Sequence, residues 1–130
     1  MTFRIIFRIE SFITIFSGLW ALFWPESFFQ SILPIPLDRV GLTLVRWSGI
    51  LSIVLGTVLW LVIKIPNRSI IHEILIVYLL GDIIFTLFLK SFFGLVQEVP
   101  LSLWTLFTFH SVLTGTRAYF VMRPTHIHPG

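Results

Sequence analysis

The chain of 130 residues contains no cysteine. That removes disulfides, thiolate metal sites, iron–sulfur clusters and thioether-linked haem from the chemistries open to it. Charge is scarce as well: Asp, Glu, Lys and Arg make up 12% of the residues, about half of the roughly 25% a soluble domain carries. No glycine-rich phosphate loop or P-loop pattern occurs, and no elbow motif presents a serine nucleophile. The net charge of +3 does not point to nucleic acid, because the Lys and Arg residues are scattered over helix ends and form no run. His126 and His128 in the tail "THIHPG" are too few for a closed zinc site, and the tail reads as a polar extension. No metal or cofactor is expected from these residues.

What the chain has instead is long apolar runs, with 56% hydrophobic and 16% aromatic residues. Four runs extend from Phe7 to Trp24, Val40 to Ile63, Ile70 to Leu89 and Leu101 to Met122. Each approaches the roughly 20 residues needed to cross a hydrocarbon layer about 30 Å thick. Pro25, Pro66 and Pro124 lie just beyond three of the run ends, where proline stops a helix. Short connections predict antiparallel neighbours. The expectation is an all-α integral membrane protein, one four-span domain over residues 1–130 folded as a four-helix bundle. The stretch "SGLWALFWPES" is rich in tryptophan and lacks a small-x-small cleavage site, so the first span is expected to be retained.

Basic residues near span ends set the orientation. Arg4, Arg8, Lys64, Arg68, Arg117 and Arg123 share one side; Arg39, Arg46 and Lys90 share the other with the acids Glu26, Asp38 and Glu98. Both termini are therefore expected on the cytoplasmic side. At about 1.5 Å per residue, Arg46 lies roughly 9 Å below the outer boundary, Asp82 about 11 Å and His110 about 14 Å. Glu10, Glu73 and Arg117 form an inner polar layer roughly 20 to 25 Å down.

Helical phase puts Glu10, Thr14, Ser17 and Ala21 on one stripe, Arg46, Gly49 and Gly56 on another, Asp82 beside Gly81 on the third span, and His110, Thr114 and Arg117 on the fourth. Glu73 falls nearly opposite Asp82 and suits the inner interface. An ionised side chain at the centre of a membrane helix costs about 2.5 to 3.5 kcal/mol on insertion scales, so Asp82 is expected to be paired or protonated. By depth the partner is Arg46, with His110 as a further hydrogen-bond neighbour. A structural pin is the expected role of such a cluster. "SIVLGT" (52–57) and "SVLTGT" (111–116) share S-x-x-x-G-T, a spacing of small residues that lets membrane helices approach closely.

The stretch "RWSGILSIVLG" (46–56), with Arg46, Gly49 and Gly56, together with "LFWPESF" at the end of the first span, resembles the DoxX-like small membrane proteins. The resemblance implies a four-helix membrane bundle and an association with quinone-using redox systems; it transfers no catalytic residue. Three functions fit these observations. The preferred one is a non-enzymatic structural or accessory subunit in a membrane, expected to be a bacterial cytoplasmic membrane, with the lipid bilayer and a homo-oligomer or larger complex as partners. The second is a proton or small-solute pathway through a homo-oligomer, using the polar column. The third is an accessory protein that binds a lipid or quinone against Tyr78, Phe85 and Trp47.

Overall fold

The computed structural model describes residues 3–123, and the described residues are helical with no strand. His126 and His128 lie outside them. Five helices follow one another: α1 (Phe3–Phe23), α2 (Pro25–Ile32), α3 (Arg39–Val62), α4 (Arg68–Phe92) and α5 (Leu101–Met122). α1, α3 and α4 are long and apolar enough to cross a membrane. α5 has 22 residues, about 33 Å at 1.5 Å per residue. Its Ser, Thr, His and Arg side chains keep it out of that apolar set. Phe12, Phe16, Leu44, Val77, Ile84 and Leu87 are exposed along the long helices. Apolar exposure on that scale belongs to a surface that meets lipid rather than water, and marks a membrane protein.

The helix starts follow from local chemistry. Asp38 caps α3, its carboxylate Oδ1 accepting from the Gly41 amide at 2.7 Å. Asn67 caps α4 by accepting from the Ser69 amide at 3.0 Å and the Ile70 amide at 3.5 Å. Each oxygen satisfies amides that have no partner within the first turn. Pro25 ends α1, but it also opens α2 from the first helical position, where its missing N–H is no loss. α2 is a short amphipathic element that the apolar runs did not announce. It turns the chain back at this end, with the Phe28 ring 5.7 Å from the Trp20 indole, edge to face.

The chain forms two compact units divided between Ile65 and Pro66. In the first, α1 and α3 are held in antiparallel register by small residues. A Cβ placed on Gly18 would sit 2.7 Å from the Gly49 carbonyl, and one on Gly49 would sit 2.7 Å from the Gly18 carbonyl. Farther along the same seam, the Ser11 hydroxyl donates to the Gly56 carbonyl at 2.6 Å. Only residues without a side chain allow backbones this close.

The second unit is the α4–α5 hairpin. Near its turn, Phe93 stacks edge-on against Trp104 at 4.7 Å and Phe107 at 5.4 Å. At its open end, His72 lies 2.9 Å from the Val121 carbonyl through Nε2. That carbonyl belongs to the last turn of α5, where carbonyls have no helical partner, so the imidazole donates and Nε2 carries the proton. The two S-x-x-x-G-T motifs differ in use. Gly56 is packed against Ile15 and Ser11 of α1, whereas a Cβ on Gly115 would meet nothing within 4 Å. Gly81 is equally open among the described residues.

Candidate functional site

The α4–α5 hairpin contains a polar ladder, built from side chains that meet between the two helices. At its centre Arg117 forms an ion pair with Asp82, from Nη1 to Oδ2. Arg117 is only 2% exposed and Asp82 13%. The same Nη1 lies 3.5 Å from the Tyr78 carbonyl, and the guanidinium carbon lies 4.9 Å from the centre of the Tyr78 ring. One turn of α4 thus surrounds the guanidinium with a carboxylate, a carbonyl and an aromatic face, three groups that suit its charge and planar shape.

Toward the turn, Thr86 and Thr114 place their hydroxyls 3.5 Å apart, and Thr114 donates to the His110 carbonyl at 2.8 Å. With that proton committed, Thr86 supplies the donor between the two hydroxyls. The His110 ring lies 4.6 Å from Phe85. Its Nδ1 is buried and has no hydrogen-bond partner among the described residues.

The depth reckoning set Asp82 and Arg117 in separate layers; the structure brings them together. Helical side chains lean toward the N-terminus of their own helix. On antiparallel helices the two therefore lean toward each other, Arg117 toward the turn and Asp82 away from it. An arginine side chain then spans the remaining helical turn. Counting Cα positions alone omits both effects.

The other expected site residues are placed as follows. Arg46 and Trp47 are exposed on α3, in the first unit. Glu10 is buried on α1, at 5% exposure. Glu73 is exposed on α4, opposite the face that holds Asp82. Tyr78 and Phe85 both face α5 partners, Arg117 and His110 respectively. A shallow groove of about 420 Å³ runs along α5, lined by Leu101, Trp104, Thr105, Thr108 and Phe109; Tyr78, Phe85 and Trp47 do not line it. His72 and its bond to Val121 form part of the hairpin that span counting did not anticipate. The available signal was its position on α4 opposite the last turn of a helix joined to α4 by a short turn.

Chemically, the ladder holds charge rather than presenting it. Its central cation and anion neutralise each other, and each lies on a helix whose partner supplies the counter-charge. No protein-family model, curated protein or solved structure matches the chain.

Proposed function

We propose that the chain is a non-enzymatic structural or accessory protein of a membrane, crossing it four times through α1, α3, α4 and α5 as a helical bundle with both termini on the cytoplasmic side. In this reading the Asp82–Arg117 pair is a pin that fixes the register of the α4–α5 hairpin. The observation that carries it is the enclosure of Arg117: 2% exposed, paired to Asp82 and lying over Tyr78. A group meant to engage a solute must be reachable, and this guanidinium is covered by its own hairpin. The DoxX-like pattern of Arg46, Gly49 and Gly56 agrees with the reading, since Gly49 and Gly56 lie at the close contact with α1.

Removing one member of a buried ion pair strands the other and destabilises by about 3 to 5 kcal/mol. Asp82→Asn and Arg117→Gln should each sharply lower the yield of folded, monodisperse protein in mild detergent. The exchange Asp82→Arg with Arg117→Asp should recover part of that loss, because the charges still meet. Undiminished folded yield in both single variants would overturn the assignment of a structural pin.

A further inference from the structure

The α1–α3 seam changes character along its length. From Ser11 through Ile15 and Gly18 to Leu22, α1 meets Gly56, Ile53 and Gly49 of α3. Toward the start of α1 the seam is filled by the buried Phe7 and Phe3, and Arg8 and Arg4 lie one position along, on its flank. Along α3 past Gly56 come Trp60 and the C-cap Ile63, with Lys64 just beyond the helix end. The register set by Ser11–Gly56 and Gly18–Gly49 puts Arg8 level with Leu59 and Arg4 level with Ile63, each one residue before Trp60 and Lys64. Three cations thus lie at one end of the α1–α3 pair.

Among the described residues of the first unit, no exposed acid offsets them there. Glu10 is the sole acid within α1, and α3 has none. Glu10 is buried, so the exposed part of this end presents positive charge alone. Arg8 and Lys64 are exposed, and Arg4 is half-buried. The Lys64 ammonium lies 5.9 Å from the Trp60 ring centre, and no ion pair holds any of the three among the described residues.

Like charges gathered by the fold repel unless an anion joins them. The surrounding side chains say which anion. Ile5 and Ile9 of α1 and Leu61 of α3 are exposed beside the cations, and Trp60 supplies an indole of the kind that settles at the headgroup level. A phosphate flanked by acyl chains matches both halves of this surface. We propose that the basic end of the α1–α3 pair, formed by Arg4, Arg8, Lys64 and Trp60, binds the headgroup of an anionic phospholipid. A free phosphate would satisfy the cations and leave the apolar flank unused.

The test uses the full chain in mixed micelles containing phosphatidylglycerol and phosphatidylcholine at equal concentration, with retained lipid read by native mass spectrometry. Phosphatidylglycerol should be retained preferentially. Each cation near an anionic surface is worth about 1 kcal/mol, which corresponds to roughly a fivefold change in preference per cation. Arg4→Gln, Arg8→Gln and Lys64→Gln should each lower the preference by about that factor, and the triple variant should abolish it. Arg4→Lys with Arg8→Lys should keep most of it, which separates lost charge from a damaged fold. Inorganic phosphate added in excess should leave the lipid in place. Equal retention of both lipids by the unaltered chain would overturn the proposal. So would a triple variant that keeps its preference, or displacement of the lipid by inorganic phosphate.

Discussion

Arg117 shows how much of a buried charge's environment comes from one helical turn of its neighbour. Tyr78 and Asp82 are four residues apart on α4, so a single face offers both an aromatic plane and a carboxylate to the guanidinium. Lysine cannot use that face in the same way, because a compact ammonium has no plane to lay over the ring. Arg117→Lys should therefore lower stability by about 1 to 2 kcal/mol although the charge is kept, and Tyr78→Leu by about 1 kcal/mol. Reversible unfolding of the protein in mixed micelles measures both, and the double variant should lose less than the two losses added, since the residues share one contact. Additive losses would mean that the ring and the guanidinium do not act together. That Asp82 must be paired or protonated was legible in the sequence, from one carboxylate in an apolar run. Which cation is seen to meet it was not. Depth along a helix axis is readable from residue number, but the lean of side chains on facing helices becomes visible only once the helices are paired.

Among the elements, the long helices were the most legible, because a run of about 20 apolar residues has few alternatives to a spanning helix. Their ends moved by a few residues: α4 begins at Arg68 and ends at Phe92, where the apolar pattern suggested Ile70 and Leu89. The Asn67 cap and the tolerance of Lys90 in a last turn account for the difference. α2 was hidden because Pro25 reads equally well as a stop and as a first residue. Glycine was the least legible element signal. Gly56 and Gly115 stand in the same six-residue pattern, yet one lies at a backbone contact and the other faces open space. This difference sets a comparison of alanine variants. Gly18→Ala and Gly49→Ala each put a methyl group within 2.7 Å of a carbonyl oxygen, so α1 and α3 must move apart; about 1 to 3 kcal/mol should be lost, the usual penalty for overpacking. Gly81→Ala and Gly115→Ala meet nothing and should be neutral or slightly stabilising through helix propensity, worth up to about 1 kcal/mol. Thermal unfolding of the four single variants in one detergent checks both halves of the comparison. A loss at Gly81 or Gly115 as large as that at Gly49 would show that an open face in this structure is in fact occupied.

At the scale of the whole molecule, the question is how α5 enters a membrane at all. α1, α3 and α4 qualify as spans on length and apolarity, and α5 does not. Its one charged residue is Arg117, five residues from the end of the helix, where an unpaired guanidinium costs part of the about 3 kcal/mol it would cost at a helix centre. Under the four-span proposal α4 removes that cost, since Asp82 neutralises the guanidinium and Tyr78 covers it. The last span is then inserted as half of a hairpin, with its charge already matched. Asp82→Leu makes α4 more apolar, yet it should reduce the fraction of molecules whose C-terminus lies on the same side as the N-terminus, because α5 would carry an unmatched arginine. Asp82→Leu combined with Arg117→Leu should restore that fraction, since neither charge is left. Reporter fusions at the C-terminus, scored against a reporter at the N-terminus, measure the two populations directly. If Asp82→Leu alone leaves the distribution unchanged, α5 inserts without help from α4, and the ion pair acts only after insertion, in fixing the register of the hairpin.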